Sequence, residues 1–359
     1  MISGLQPLEI RPPGTWAKAS IDPVHAEELS RFADWVLNLA VGKADPEDFK
    51  KFRLENGVYG IRFKDDEHMI RIKIRFGRLT PDQIEAVADV ADQFTPLRLG
   101  HVTTRQAIQV HNIKRIQIPA ALRMLAESGL TTREACGNTV RNVTACPYAG
   151  TSPEEPFDVS PYADALSAYL LRNLVNQNLP RKFKIAFEGC RTDHIRVPIH
   201  DLGFVAKVRD GKRGFLVTVG GGLGATPMSA QVIDEFLPPE DIFVVAETIL
   251  RIFDRHGNRE DKARARIKFV VKTWGLEKFK KVYEAEKKVT LATWSGDQML
   301  KVQKGLEFLS NWKEEGPPDV AGGSGEPPLQ KSTDADYLRW RATNVKPQKQ
   351  KGYVAVVVR

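Results

Sequence analysis

The stretch between residues 66 and 130 carries the pattern that most constrains what this chain can fold into. Its first part, HMIRIKIRF (68–76), alternates polar and apolar side chains as a β-strand does. Thr80 then offers a helix N-cap, followed by a proline at the first helical position and a glutamine at the capping-box position. A second helix is predicted from Pro119 to Glu127, and two strands are predicted between the helices, PLRLGHVTT and AIQVHNIKRIQI. Strand, helix, two strands and helix make up most of a ferredoxin-like split βαβ unit.

Four further regions surround this unit. Residues 1–65 are predicted to form an N-terminal extension, and residues 131–314 a larger domain with many loops. Residues 315–343 contain a Pro/Gly-rich linker. Residues 344–359 end in the strand-like run GYVAVVVR, which resembles EHMIRIKIR, so we expect them to be the truncated start of a second ferredoxin-like half domain whose strand is left without a neighbour. The predicted fold class is α+β, a ferredoxin-like half domain followed by a mixed α/β domain.

The larger domain is predicted to contain both strands and helices. Its strand candidates lie at 182–189, 194–199, 203–208 and 214–219, and its helix candidates at 239–255 and 275–287. Their presence in one region favours a mixed α/β architecture.

The composition narrows the class of protein. Hydrophobic residues make up 42% and charged residues 27% of the 359 residues, which is ordinary for a globular protein. No apolar run approaches the ~20 residues of a membrane-spanning helix, and no secretory signal is recognised. Three cysteines cannot make a disulfide framework, so the predicted location is cytoplasmic. The net charge of +8 indicates a polyanionic partner, with nucleic acid, an acidic membrane surface and a carboxylate-rich cofactor all open at this point.

Basic side chains recur beside Thr, Gln and Asn in several short segments. If residues 101–111 are extended, one face carries alternate residues, namely His101, Thr103, Arg105, Ala107, Gln109 and His111. Further basic residues in such segments are Arg71, Arg141, Lys182 and Lys184. A polar face turned to water is the ordinary explanation for any one strand. The combination favours an anion pocket.

A glycine run, TVGGGLGA (218–225), follows a predicted strand. It matches the dinucleotide pattern G-x-G-x-x-A, but a Thr-Pro pair interrupts the helix that a Rossmann fold needs at this point. Backbone amides that approach an anionic cofactor are the favoured interpretation of Gly220, Gly221 and Gly222.

The three cysteines do not predict a metal site. Cys136, Cys146 and Cys190 form no C-x-x-C pair, and the seven histidines show no H-x-x-x-H spacing. Each cysteine is therefore interpreted as a buried, inert thiol, and no metal ligand is assigned.

Six motifs follow one another along the chain, from about residue 55 to its end. They are MIRIKI, HVTTRQAIQVH, VRNVTACP, LPRKFKIAF, VGGGLG and GNREDKARARIKF. In this order they resemble the siroheme-containing nitrite and sulfite reductases, and TTRQ, RNV and PRKFK together are specific to that family.

The resemblance implies a fold of two pseudo-symmetric halves, each with a ferredoxin-like domain and a siroheme-binding domain. It implies siroheme joined through a cysteine sulfur to a [4Fe–4S] cluster. Electrons from ferredoxin or a flavoprotein would reduce sulfite to sulfide or nitrite to ammonia. Siroheme is rich in carboxylates and the substrates are oxyanions, so their pocket needs basic side chains.

The same resemblance implies roles for individual residues. Its substrate-facing basic residues correspond to Arg71, Arg141, Lys182 and Lys184. Arg105 and Gln109 fall on siroheme-contacting positions, whereas His101 lies where the family has an arginine. Further cofactor contacts are expected from nearby residues, namely Thr103, Thr104, His111, Asn142, Gly220, Gly221 and Gly222.

The family's four cluster cysteines, in a C-x5-C-like pair and a C-x3-C pair, have no counterpart in this chain. Cys146 and Cys190 resemble pseudo-repeat counterparts of those segments rather than ligands. We therefore expect the N-terminal half of a reductase, inactive alone, whose cluster ligands come from an absent C-terminal half or a separate subunit.

Two other functions stay open. A non-catalytic siroheme-binding partner subunit would differ only in having no cluster-bearing partner. A basic nucleic-acid-binding protein would use the net charge and the run HGNREDKARARIK (256–268), although acidic residues interrupt that run. Nitrite and sulfite are both small anions, and the sequence does not distinguish them.

Overall fold

The computed structural model describes residues 15–313 and 333–358, and it divides into two compact units. The first unit is Met1–Asn142 and the second is Val143–Arg359. Most of the predicted linker, residues 315–332, lies outside the described residues, as do the first fourteen residues of the predicted N-terminal extension.

The first unit contains a four-stranded antiparallel sheet. Its strands are β1 (Val58–Ile61), β2 (Lys64–Ile72), β3 (Gly100–Val102) and β4 (Ile108–Lys114), in the order β1-β2-β4-β3. The strand–helix–strand–strand–helix series is the predicted ferredoxin-like unit. The sheet has one strand more than predicted: β1 precedes the predicted unit along the chain and pairs with β2.

Four helices accompany this sheet. They are α1 (Pro23–Ala40), α2 (Pro46–Glu55), α3 (Pro81–Phe94) and α4 (Ile118–Glu127). The predicted capping box of α3 is present, because Thr80 accepts from the Gln83 amide and Gln83 accepts from the Thr80 amide.

The first unit is larger than the predicted half domain at 66–130. Helices α1 and α2 bury Phe32, Val36 and Phe49 in the same core as Ile70 and Val110 of the sheet. Residues from the predicted N-terminal extension therefore belong to this unit, since their apolar faces have no other core to bury against.

The prediction that alternate residues of 101–111 share one face requires a single extended strand, and these residues do not form one. They form β3, a turn at 103–107, and β4. Gln106 takes a positive φ of 48°, and the Thr103 hydroxyl accepts hydrogen bonds from the amides of Arg105 and Ala107. The hairpin still places His101 directly opposite Gln109, so these two residues share a face with His111.

The second unit contains a five-stranded mixed sheet. Its strands are β5 (Thr144–Ala145), β6 (Ile185–Glu188), β7 (Leu202–Arg209), β8 (Lys212–Val219) and β9 (Gln231–Leu237), in chain order across the sheet. β5, β6 and β7 are parallel, and β7, β8 and β9 are antiparallel. The Asp210-Gly211 turn between β7 and β8 has positive φ at both residues, as tight hairpins require.

The remaining helices are in the second unit. They are α5 (Ser160–Leu170), α6 (Ile242–His256), α7 (Ile267–Trp274), α8 (Leu276–Ala292), α9 (Gly296–Asn311) and α10 (Ala335–Asn344). The core includes Phe187 stacked on Phe204 at 4.6 Å between ring centroids, with the Phe215 ring edge-on to both.

Two sequence predictions in this unit need correction. Residues 194–199 are not a strand, because Arg196 takes a left-handed conformation and Val197–Ile199 form a 3₁₀ turn. The valine-rich run near the end is not left without a neighbour: β11 (Val354–Val356) pairs antiparallel with β10 (Val345–Pro347). Among residues 15–313 and 333–358, none of the helices combines the length and apolar character needed to cross a lipid bilayer.

Candidate functional site

The polar face of the first sheet is organised around Arg71. Arg71 on β2 lies directly opposite Gln109 on β4. With its amide oxygen turned toward Arg71, Gln109 accepts from Nε at 2.9 Å and from Nη2 at 2.5 Å. The guanidinium also lies 5.2 Å from the centroid of the Tyr59 ring. The apolar neighbours on these strands, Ile70 and Val110, are fully buried on the opposite side.

A second guanidinium, that of Arg141, converges on the same place. Nη1 of Arg141 donates to the carbonyl oxygen of Ala135 at 3.0 Å, and Nη1 of Arg71 donates to the same oxygen at 3.4 Å. Arg141 is 9% exposed and also donates to the Gly137 carbonyl. Within the described ranges, neither arginine makes an ion pair with a carboxylate. Two close cations without a carboxylate favour binding of an anion.

Burial shifts the pKa of two titratable groups near these arginines. Burial raises the pKa of the Cys136 thiol to about 11, although the Arg71 and Arg141 charges oppose this. Burial, together with the His101 and Arg71 charges, lowers the pKa of His111, whose ring lies edge-on to His101 at 5.0 Å. Cys136 is therefore buried, as predicted, and the cationic character of this face comes from the arginines.

The other predicted residues of this unit lie in or beside the 103–107 turn. Thr103 caps the turn with its hydroxyl, Thr104 is exposed, and Arg105 presents its carbonyl oxygen to the side chain of Asn142. Asn142 also donates to the carbonyls of Ile74 and Gln106. Asn142 thus braces two loops, which is a positioning function that sequence position alone did not indicate.

In the second unit, a buried aspartate gathers basic groups around it. Asp201 accepts from Nε of Arg266 at 2.9 Å and from Nη2 at 2.5 Å, and it accepts from the backbone amide of Lys184 at 2.9 Å. Lys182 and Lys184 are half-buried just before β6, which begins at Ile185, three residues later than predicted. Asp201 and Arg266 were missed because a lone Asp in a loop and one Arg in a charged run carry no spacing signal.

The glycine run does not leave its amides open. The amides of Gly220, Gly221 and Gly222 donate to backbone carbonyls of Asp201, His200 and Met228. A Cβ on Gly221 would lie 2.2 Å from the Pro198 carbonyl oxygen and 2.5 Å from that of His200. These glycines therefore serve close packing, and the predicted approach of their amides to an anion is not available in this conformation. The segment continues into β9 rather than a helix, which excludes the Rossmann interpretation.

The basic run at 256–268 turns two of its cations inward. Arg266 pairs with Asp201, and Lys268, only 3% exposed, donates to the carbonyls of Leu223 and Thr226. These cations are unavailable to a nucleic-acid backbone, which weakens the nucleic-acid interpretation of this run.

Two cysteines that lie 44 positions apart meet at the ends of adjacent parallel strands. Cys146 Sγ is 3.6 Å from Cys190 Sγ and 3.5 Å from His194 Nδ1. The hydrogen bond from the Cys146 thiol lowers the pKa of Cys190 to about 7, and this contact and burial raise the pKa of Cys146. The four residues Cys146, Glu188, Cys190 and His194 place one ligand atom each within 4.8 Å of one another.

Neither Cys–Cys nor His–His spacing in the sequence reveals this cluster. The local signal is Cys190 followed by His194, with three residues between them. The interpretation of Cys146 and Cys190 as inert thiols is incomplete, because their sulfur atoms face each other rather than apolar side chains alone.

The fold is that of an α+β protein with a ferredoxin-like half domain, and both of its units carry clusters of basic residues. Comparison with known proteins gives its family. The model for the "Nitrite/Sulfite reductase ferredoxin-like half domain" matches residues 61–128, and that for the "Nitrite and sulphite reductase 4Fe-4S domain" matches residues 136–291. The chain belongs to the siroheme nitrite and sulfite reductase family.

Similar proteins carry the same two activities in their names. The assimilatory ferredoxin-dependent nitrite reductase of Haloferax mediterranei is 34% identical over 262 residues, which are 67% of this chain and 44% of that protein. Sulfite reductase [ferredoxin] 1 of Mycolicibacterium paratuberculosis is 29% identical over 309 residues, 78% of this chain and 55% of that one. The chain spans about half the length of the curated relatives it matches.

One solved structure shares the fold over nearly the whole chain. The Mycobacterium tuberculosis NirA protein superposes with a TM-score of 0.66 at 24% identity, over 95% of this chain and 61% of that one. This similarity supports the presence of a ferredoxin-like half domain followed along the chain by a mixed α/β domain.

The family's cofactors are siroheme and a [4Fe–4S] cluster, and the residues present fit the two groups unequally. Arg71 and Arg141, without carboxylate partners in the described part of the chain, give the first unit a cationic face that suits both a carboxylate-rich cofactor and its oxyanion substrate. A [4Fe–4S] cluster takes four thiolates, and the sequence has three cysteines. The cluster's ligand set is therefore not complete within these residues.

Proposed function

We propose that this chain contributes the siroheme- and oxyanion-binding surface of an enzyme that reduces sulfite to sulfide or nitrite to ammonia. When bound, siroheme and the [4Fe–4S] cluster would carry electrons from the external donor to the substrate. In this proposal Arg71 and Arg141 hold the anionic substrate, and Arg105 and Gln109 orient the cofactor. A substrate-binding role for Lys182 and Lys184 of the second unit rests on the family resemblance.

The observation that carries this proposal is the pair of guanidinium groups fixed on the Ala135 carbonyl. Arg71 is held from three sides by Gln109, Ala135 and the Tyr59 ring, so its position does not depend on a ligand. A preorganised pair of donors binds a carboxylate or an oxyanion without first being rearranged.

The proposal also places the cluster thiolates outside these 359 residues. The support is the count of three cysteines, against the four thiolates that the cluster takes. These cluster ligands would come from further chain or from a separate subunit, and electrons would come from ferredoxin or a flavoprotein. A non-catalytic siroheme-binding subunit is the alternative that the experiment separates.

The experiment is co-expression of this chain with a cluster-bearing segment of a relative, followed by absorption spectroscopy and an assay with reduced methyl viologen. We expect siroheme absorption bands, and reduction of nitrite or sulfite only when both parts are present. Siroheme binding without reduction would support the non-catalytic subunit. Reduction by this chain alone would contradict the division of ligands.

Arg141→Met gives a more direct check of the oxyanion role. Loss of the guanidinium should weaken the change in siroheme absorption that sulfite produces, with siroheme still bound. Arg78→Met, at an exposed arginine of the same unit, is the matched control.

A further inference from the structure

We propose that Cys146, Cys190 and His194 bind a single zinc ion at the carboxyl ends of strands β5 and β6. This proposal goes beyond the proposed function, since its three ligands are not among the residues that hold substrate or siroheme there.

The distances fit one tetrahedral ion. With Zn–S of about 2.3 Å and Zn–N of about 2.0–2.1 Å, two thiolates on one zinc lie about 3.8 Å apart and a thiolate and an imidazole about 3.6 Å apart. The observed separations are 3.6 Å for Cys146 Sγ to Cys190 Sγ and 3.5 Å for Cys146 Sγ to His194 Nδ1. In a [4Fe–4S] cluster each cysteine ligates a different iron, so its thiolates are spread over the cluster and not gathered on one ion.

The sheet brings the two thiols together. β5 and β6 are parallel, with Ala145 opposite Phe187, and the Cys146 amide donates to the Phe187 carbonyl. Cys146 therefore follows the end of one strand, and Cys190 comes two residues after the end of the next. Ligands commonly bind in the crevice beyond the carboxyl ends of parallel strands.

Glu188 fixes the loop that carries the other two ligands. Its carboxylate accepts from the backbone amides of Cys190 at 2.8 Å, His194 at 2.7 Å and Ile195 at 3.1 Å. The His194 ring also lies edge-on to Tyr148 at 4.9 Å. Such supporting contacts are typical around metal ligands, because they hold the ligands in place before the ion arrives.

The charges around the site favour a cation. The Glu188 side chain is 2% exposed, and the ion-pair contact it makes within the described residues is with His194, Oε1 to Nδ1 at 3.9 Å. Zinc binding would release the thiol protons to solvent, and the divalent ion would balance two thiolates beside this carboxylate. The side chain of His194 is 26% exposed, so an ion can reach the site from solvent.

The test is equilibrium dialysis of the reduced 359-residue chain against zinc chloride, with bound zinc measured by mass spectrometry. We expect one zinc per chain. Cys190→Ser and His194→Asn should each raise the zinc dissociation constant at least tenfold. Cys136→Ser, which removes the third thiol, is the matched control and should keep one zinc.

A second measurement does not depend on the folding of variants. Cobalt(II) added to the wild-type chain should give thiolate-to-cobalt charge-transfer absorption, which zinc should abolish by competition. No zinc binding by the folded, reduced chain, a cobalt spectrum without thiolate character, or equal zinc loss in Cys136→Ser would each overturn the proposal. Neither measurement needs siroheme or reductase activity, so failure of the proposed function would leave this result readable.

Discussion

Arg71 and Gln109 are directly opposed residues of two antiparallel strands, and the guanidinium of one donates twice to the amide of the other. The register of the two strands fixes the backbone position of Arg71, and the Gln109 amide fixes the orientation of its guanidinium. A lysine, whose single ammonium group sits on a flexible side chain, cannot make this two-point contact.

Under the proposed function, replacement of Arg71 by lysine should therefore impair reduction by the co-expressed protein, although the charge is kept. The lost contacts to Gln109 and Ala135 are of the charge-assisted kind, worth about 1.5–3 kcal/mol. We expect kcat/KM for nitrite or sulfite to fall about 10- to 100-fold, measured with reduced methyl viologen on the co-expressed, siroheme-loaded protein. Arg78→Lys should leave it unchanged. Equal values for the two variants would remove Arg71 from the site.

The ion pair between Lys73 and Glu134 is completely inside the first unit. Nζ of Lys73 lies 3.2 Å from Oε2 of Glu134, with side chains 4% and 0% exposed. Lys73→Met should lower the free energy of unfolding by about 3–5 kcal/mol, because the buried Glu134 carboxyl then loses this cation.

The matched experiment is a double-mutant cycle with Glu134→Gln, followed by urea denaturation. The double variant should recover part of the loss, since no buried carboxylate then lacks its cation. Strict additivity of the two changes would show that the pair does not couple.

His68 predicts how stability depends on pH. Burial, reinforced by the Arg53 charge, lowers the pKa of His68 from 6.5 to about 4. Between pH 4 and pH 6.5 the unfolded chain binds a proton at His68 that the folded chain does not. The contribution of neutral His68 to the stability of the fold is therefore complete above pH 6.5 and is lost as the pH falls toward 4. The loss is up to about 3 kcal/mol, at ~1.4 kcal/mol for each unit. Urea titrations across this range should show a weaker pH dependence in His68→Gln, but not in the exposed control His256→Gln.

Gly221 and Gly296 form a contrasting pair for substitution by alanine. A Cβ at Gly221 would overlap the carbonyl oxygens of Pro198 and His200, whereas a Cβ at Gly296 meets nothing within 4 Å. Gly221→Ala should destabilise the chain by about 1–3 kcal/mol or more. Gly296→Ala, at the start of α9, should stabilise it by about 0.4–1 kcal/mol. Thermal unfolding of both variants would check this, and a neutral Gly221→Ala would contradict the packing role.

Local sequence signals predicted the local structure well. The Thr80 capping box, helix α4 and strands β7 and β8 depend on residues close in sequence, and the structure contains all of them. The motif order also led to the correct family, which the two domain matches show.

Features set by distant contacts were missed. Residues 194–199 alternate like a strand, yet the Glu188 carboxylate takes the amides of His194 and Ile195 and turns the chain away from a sheet. The turn at 103–107 needs a positive φ at Gln106, and a residue other than glycine gives no sequence signal for that conformation. The thiol cluster needs the parallel pairing of β5 with β6, which no spacing of cysteines encodes.

The carbonyl oxygen of Ala135, shared by two arginines, has one further consequence. The neutral Ala135 carbonyl holds the guanidinium groups of Arg71 and Arg141 close together. The free energy of folding offsets the repulsion between these two charges before any ligand binds. An incoming anion therefore meets two donors already in position. A chloride ion is also an anion and should compete with the ligand for these two donors. The salt composition of the buffer must therefore be held constant in any functional measurement on this protein.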